Sequence, residues 1–371
     1  MNSSFASVAV ALFAVLRACA QLAAPAPNAP APRDPVLVHR PPAGVPKPNS
    51  VTAEGHIHLD VAVTDASGDP VTDLQPWDFT LLDNDQPRKI LSFRSFDGVA
   101  VKPDPPVQVI LLIDTANLPF QQVAFVRSEI RRFLLQNGGR LPDPVSLFHL
   151  SDSGLRVQPR PSTDGNALVH VLDRIQGGIR TIDSAQAGEG LVERFQLSLR
   201  ELAYIAQNEA RAPGRKLLVW VGPGWPLLNS AHFTSTDKDH RRYFDTIVSL
   251  SRDLRESRIV LDSVSPADPN STGNYTFTYQ SFLKGVTSFN RADSGNLSLK
   301  VLAIQSGGLV LGPDNDLVGQ INRCIAGASA FYRISFDALR ADHADEYHDL
   351  KLEIDRPGLT VRTSSGYYNQ P

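Results

Sequence analysis

The chain has 371 residues, 42% of them hydrophobic and 20% charged, with a formal net charge of −3. That length and apolar content suit one large domain or two modest ones, with a core that needs no covalent staples. The weak negative charge, without a long run of one sign, argues against nucleic acid or an anionic membrane surface as the main partner.

The N-terminus reads as an atypical export signal, residues 1–20. Val8–Leu16 is a short apolar core, and Ala18-Cys19-Ala20 supplies the small residues favoured before cleavage. No basic residue precedes the core, and Arg17 follows it. Arg17 also stands where a lipoprotein signal leading to Cys19 wants a small or apolar residue, so a lipid anchor is the weaker reading, alongside a retained N-terminal tail. Cleavage after Ala20 would leave Cys324 as the only cysteine and allow no intramolecular disulfide. Cys324 lies on the apolar side of a predicted helix and reads as a small buried hydrophobe. No later stretch approaches an integral membrane span. Residues 21–50 form a Pro/Ala-rich linker, with nine prolines between Ala23 and Pro48.

Residues 51–100 read as a small antiparallel β segment. From His56 the chain alternates, with Ile57, Leu59, Val61 and Val63 on one face. Asp65–Pro70 turns, Trp77–Leu82 resumes a strand, and Asp83–Gln86 turns again before Arg88–Phe96. His56 and His58 share a face at strand spacing, but with no third ligand nearby a solvated polar face is the better account.

After the Lys102–Pro106 linker the pattern changes to alternating strands and helices over 105–329. Val107–Ile113 is an almost unbroken aliphatic run ending at Asp114, as a strand covered on both faces requires. Val123, Val126, Ile130, Phe133 and Leu134 follow at helical spacing until Asn137-Gly138-Gly139 stops the helix. Strands are predicted at Val145–Leu150 with a hairpin partner in Gly154–Pro161, at Lys216–Val221, at Arg258–Val264 and at Leu309–Leu311. Helices are predicted at Asn166–Gln176, Leu191–Asn208, around Tyr243–Leu254, at Ser298–Gln305 and around Leu317–Ala328. Such alternation implies an α/β fold with a doubly wound, mainly parallel sheet. In such sheets ligands bind beyond the carboxyl ends of the strands, where Asp114 stands. Residues 330–371 return to β alternation at Phe331–Phe336, Tyr347–Ile354 and Leu359–Thr363. The two flanking β segments are each too small to bury an apolar face alone. They are expected to pack together, as a small β-sandwich, or to flank the inserted α/β module.

Four stretches in order, Val61–Phe93, Val109–Asn117, Leu299–Leu311 and Tyr347–Tyr368, resemble a bacterial, acidobacterial-type VWFA-related domain family built on the von Willebrand factor type A fold. The resemblance implies a central sheet with the Asp114 strand in its middle. It also implies a possible metal-ion-dependent adhesion site, which needs Asp-x-Ser-x-Ser, a threonine and a second Asp to surround Mg²⁺ with oxygens. Asp114 matches the first position, but Ala116 and Leu118 stand where the serines belong, and Gly222-Pro223-Gly224 brings no carboxylate after the Lys216–Val221 strand. Thr181 or Ser184, in the loop Gly177–Gly190, could stand for the threonine. The expectation is therefore a degenerate site and no cofactor, with Mg²⁺ on Asp114, Asn117 and Thr181 as the rival. Asp114 would instead accept hydrogen bonds from backbone N–H groups at the start of the following helix.

Other ligand-rich stretches are weaker. Asp268–Asn274 opens like a calcium loop but has Tyr279 at the twelfth position. Asp342–Asp349 reads as a solvated turn. No nucleophile elbow, phosphate loop, His-Glu-x-x-His or Cys-x-x-Cys occurs. The sequence thus points to a secreted or envelope-associated, non-enzymatic interaction module whose unidentified protein partner meets the loops Thr115–Gln121, Gly177–Gly190 and Gly222–Ser230. Contact residues would be Thr115, Asn117, Trp225, Leu227 and Leu228, unless Trp225 caps the sheet. A metal-dependent adhesin and a hydrolase with a scattered site are the alternatives.

Overall fold

A computed structural model describes residues 38–39, 55–175, 189–228, 235–267 and 278–371. Residues 1–20, the linker apart from residues 38–39, Thr181, Ser184 and Asp268–Asn274 lie outside the described residues. No helix among the described residues is long and apolar enough to cross a membrane.

In chain order the strands and helices are β1 (Val38–His39), β2 (His56–Thr64), β3 (Phe79–Asp83), β4 (Gln86–Arg88), β5 (Ser92–Asp97), β6 (Gln108–Asp114), α1 (Phe120–Leu134), β7 (Arg140–Ser151), β8 (Gly154–Val157), β9 (Ser162–Asp164) and α2 (Gly165–Asp173). There follow α3 (Glu189–Glu209), β10 (Lys216–Val221), α4 (Asp237–Glu256), β11 (Ile259–Pro266), α5 (Leu299–Gln305), β12 (Val310–Asp314), α6 (Leu317–Ala326), β13 (Ala330–Asp337), β14 (Glu346–Ile354), β15 (Thr360–Arg362) and β16 (Gly366–Asn369).

The largely aliphatic β6 lies in the middle of the large sheet, whose order is β1-β8-β7-β6-β10-β11-β12. Its neighbours β7 and β10 run parallel to it, and β11 and β12 continue the parallel run. The two faces of β6 feed two separate cores, which is why its sequence does not alternate. Val109, Leu111 and Ile113 pack with Val126 and Ile130 of α1, Leu168 of α2 and Ile321 of α6. Ile110 and Leu112 pack with Leu202 of α3, Ile247 of α4 and Leu302 of α5. Helices thus cover both faces of a largely parallel sheet.

The flanking segments form two four-stranded antiparallel sheets, β15-β2-β13-β5 and β16-β14-β3-β4. Each sheet combines strands from both ends of the described chain. Leu59 of β2 lies opposite Ile334 of β13, and Leu81 of β3 lies opposite Leu352 of β14. These apolar faces share one core with Tyr332, Phe336 and Tyr367. A polar group is buried in it as well: the Asp83 carboxylate accepts from His348 Nδ1 at 3.0 Å and from the Tyr367 hydroxyl at 2.6 Å.

Several contacts join the sandwich to the α/β part. Arg258, between α4 and β11, grips Asp60 of β2 with Nε at 3.1 Å and Nη2 at 2.7 Å from Oδ2. Strand β16 has no alternation to reveal it, because all four of its residues are buried. Tyr367 enters the sandwich core, whereas Tyr368 enters the core beneath α3 and α4. Ile334→Ala should therefore cost about 2–5 kcal/mol through the cavity it leaves in the sandwich. Denaturant unfolding of the variant against the wild type measures that loss.

Candidate functional site

The strand order reverses about β6: β7 lies on one side of it and β10 on the other. This is the switch point at which open α/β sheets place their sites, and Asp114 closes β6 there. The Asp114 side chain is completely buried, so the chain must supply what water cannot. Its Oδ1 accepts from the Asn117 backbone N–H at 3.0 Å and from Asn117 Nδ2 at 3.1 Å. Its Oδ2 accepts from Asn117 Nδ2 at 2.9 Å and from the Trp220 indole Nε1 at 2.9 Å. The partners therefore differ from the helix N-terminus that the sequence suggested. The chain between Asp114 and α1 folds back first, with Leu118 N–H donating to the Asp114 carbonyl at 3.2 Å, and this brings Asn117 under the carboxylate. Asn117 Nδ2 also reaches Ser198 Oγ of α3 at 3.0 Å.

Gly222 follows β10 directly beside this carboxylate. A Cβ there would stand 2.9 Å from Asp114 Cβ and 3.4 Å from Oδ2, so the carboxylate occupies space that any larger residue would need. Burial pushes the Asp114 carboxyl up to about 6, against the opposing pull of the Asn117 and Trp220 hydrogen bonds.

Next to it, the Thr115 hydroxyl lies 2.9 Å from the Leu150 carbonyl and 2.8 Å from His149 Nε2. A carbonyl can only accept, so the hydroxyl proton goes to Leu150 and His149 Nε2 must donate. The other ring nitrogen, Nδ1, is buried without a hydrogen bond. Burial, with Arg156 and Arg127 adding to it, lowers His149 to about 4.

The Mg²⁺ that the sequence resemblance implies does not fit these residues. A hard cation needs oxygens turned toward it, whereas the atoms turned toward Asp114 are N–H donors. Ala116 and Leu118, at the two serine positions, are buried in the apolar interior. Asn117 Oδ1 is the oxygen nearby that makes no hydrogen bond; Thr181 is outside the described residues. Among the described residues, no three or more His, Cys, Asp or Glu side chains gather to hold a metal. In the Asp342–Asp349 stretch His348 points inward to Asp83, and His56 lies 3.2 Å from Asp337.

Most of the expected contact residues are turned into the interior. Trp225 is 5% exposed and Leu228 is 8% exposed. Gly224 takes a φ of +81°, which returns the chain over the sheet edge. Trp225 then stacks edge-on against Trp220 with ring centroids 5.2 Å apart, and its indole donates to the Leu297 carbonyl at 2.9 Å. Leu227 packs partly buried on the same core, and Thr115 is turned inward. The sheet-capping alternative describes Trp225; an exposed contact does not. Among the described residues of this edge, the large apolar side chain that stands out is Phe120, 64% exposed at the start of α1. Trp220, Ser198 and His149 were not evident as neighbours of Asp114. A tryptophan near the end of an otherwise aliphatic strand was the available signal. Cys324 is buried as expected, and Asp262 is a second buried carboxyl that burial raises to about 6.

No protein-family model matches the chain, and no curated protein matches it. Among solved structures it is similar to the human COPII-coat protein Sec24c, at 10% identity and a TM-score of 0.34, over 74% of this chain and 44% of that one. It is also similar to the SpRpn10 VWA domain, at 11% identity and a TM-score of 0.30, over 60% of this chain and 97% of that domain. The chain thus spans under half the length of the Sec24c chain. The fold assignment rests on strand order: a von Willebrand A-like, largely parallel sheet with the Asp-bearing strand in the middle, flanked by antiparallel sheets.

Three outcomes follow from this geometry. The Asp114 carboxyl has a folded value of about 6 against an ordinary 3.8, so its contribution to stability is greatest below 3.8 and is lost as pH rises through 6, by roughly 3 kcal/mol. His149 works in the opposite direction: its contribution is present above 6.5 and is lost as pH falls through about 4. Asp114→Asn should therefore gain stability relative to wild type as pH is raised from 4 to 7, whereas His149→Gln should gain as pH is lowered, both read from unfolding midpoints. Trp225→Ala should lower unfolding free energy by about 3–5 kcal/mol, as a core truncation does.

Proposed function

We propose that this protein is a secreted or envelope-associated, non-enzymatic protein-interaction module of adhesion or scaffold type, in which the metal-ion-dependent adhesion site is degenerate. Its partner is recognised by the loops at the carboxyl edge of the large sheet. The observation that carries this reading is the Asp114 carboxylate, both of whose oxygens are held by N–H donors of Asn117 and Trp220. A carboxylate committed in this way serves the fold, and recognition falls to the shape and apolar character of the rim, where Phe120 is exposed. The export assignment rests on the N-terminal sequence pattern alone.

The uncommitted Asn117 Oδ1 favours one alternative, a metal-dependent adhesin using Asp114, Asn117 and Thr181. Thermal melts with millimolar Mg²⁺ or Ca²⁺ against chelator separate the two. Binding to the folded state alone must raise the melting temperature. The proposed module melts at the same temperature in both; a rise that disappears in Asp114→Ala supports the adhesin.

A further inference from the structure

The amino ends of β6 and β7, at the far end of the sheet from Asp114, do not close on each other. Strand β7 begins at Arg140, but its pairing with β6 begins only at Val145, opposite Val109. Between Arg140 and Val145 stand Pro142 and Pro144, which have no N–H to offer a neighbouring strand. A cleft of about 270 Å³ opens here, between the first residues of β7 and the last turns of α1 and α6. Its walls are apolar: Val109, Phe133, Leu141, Val145 and Ile325 line it, and each is buried. Protein interiors are otherwise close-packed, and an unfilled apolar space forfeits the contacts its lining atoms would make.

Two side chains of opposite charge also line the cleft, and neither forms an ion pair among the described residues. Arg140 is left without one, although Arg131 and Arg132 at the end of α1 are paired with Asp173 and Glu129. Asp143 is half-buried and accepts from the Ser329 hydroxyl at 2.9 Å. Burial raises its carboxyl above the ordinary value, with Ser329 and Lys102 pulling the other way. Apolar walls with a few charged groups among them are the usual form of a small-molecule site.

We propose that this cleft binds a free apolar amino acid of the size of leucine to phenylalanine. The α-carboxylate pairs with Arg140, the ammonium pairs with Asp143, and the side chain fills the space between Val109, Phe133 and Ile325. Only a zwitterion answers both charges at once. A fatty acid would turn its carboxylate toward Asp143, an amine would leave Arg140 unpaired, and a peptide carries its two terminal charges on different residues. Each charge-assisted pair is stronger than a neutral hydrogen bond, and the apolar side chain restores the contacts that the open cleft lacks. The site lies at the opposite end of the sheet from the carboxyl-edge loops and stands or falls separately from them.

The test is calorimetric titration of the full chain with leucine and with phenylalanine, alongside thermal melts. Either amino acid should bind in saturable fashion and raise the melting temperature. N-acetylphenylalanine, which lacks the ammonium, and phenethylamine, which lacks the carboxylate, should each bind at least about tenfold more weakly than phenylalanine. Lysine and glutamate, whose side chains carry charge, should not bind. Arg140→Gln and Asp143→Asn should each weaken phenylalanine binding at least about tenfold, with unchanged melting in the absence of ligand showing that the variants are folded. Failure of both leucine and phenylalanine to bind at millimolar concentration would overturn the proposal. So would equal binding of phenylalanine and its two single-charge analogues, binding of lysine or glutamate as tight as that of phenylalanine, or phenylalanine binding that survives undiminished in both variants.

Discussion

A carboxylate at the end of a strand covered on both faces is an electrostatic problem that the surrounding chain must solve. Asp114 is buried where the strand order reverses, and an isolated charge there would be costly. The solution is local and specific. Asn117 folds back to donate through its backbone and its amide, Trp220 donates from the neighbouring strand, and Gly222 leaves the carboxylate room. Each of these residues constrains another. Trp220 holds its place against Trp225, and Trp225 is tied to the Leu297 carbonyl near α5. Asn117 reaches Ser198 on α3. The carboxylate has thereby become the centre of a network that fixes the top of the sheet.

A second set of contacts makes the α/β part and the sandwich one structure. Phe96 of β5 and Phe331 of β13 belong to sandwich strands, yet their stacked rings enter the core beneath α1 and α6. Tyr367 and Tyr368 send neighbouring side chains into two different cores. Asp60 of the sandwich is held by Arg258 at the α4–β11 turn. Both small sheets combine strands from the two ends of the described chain, so neither end can build its sheet without the other.

Much of this architecture was legible in the sequence because hydrophobic period reports burial directly. The unbroken run before Asp114 required two covered faces, and the alternation of Ile57, Leu59, Val61 and Val63 required one. Both patterns survive in the structure. Strand β16 was not legible, since four consecutive buried residues between two cores have no period. The site was half legible. The missing serines could be read from spacing after the Asp114 strand, and the missing second carboxylate from Gly222-Pro223-Gly224 after the Lys216–Val221 strand. The actual partners of Asp114 could not, because Trp220 and Ser198 come from other elements and meet it only in three dimensions. The burial of Trp225 was hidden for a related reason: an apolar cluster after a glycine turn looks the same whether the chain then leaves the sheet or returns over it.

Asp114 is held by Trp220 and Asn117 in preference to any cation, and the top of the sheet depends on that choice. The indole N–H of Trp220 reports on it directly, and the chain has only three tryptophans to resolve by nitrogen-15 NMR. The Trp220 indole resonance should titrate with a midpoint at about 6, following the carboxyl it donates to, and should not move when millimolar Mg²⁺ is added. A Trp220 resonance that shifts in saturable fashion with Mg²⁺, and loses its titration when the ion is present, would contradict the account.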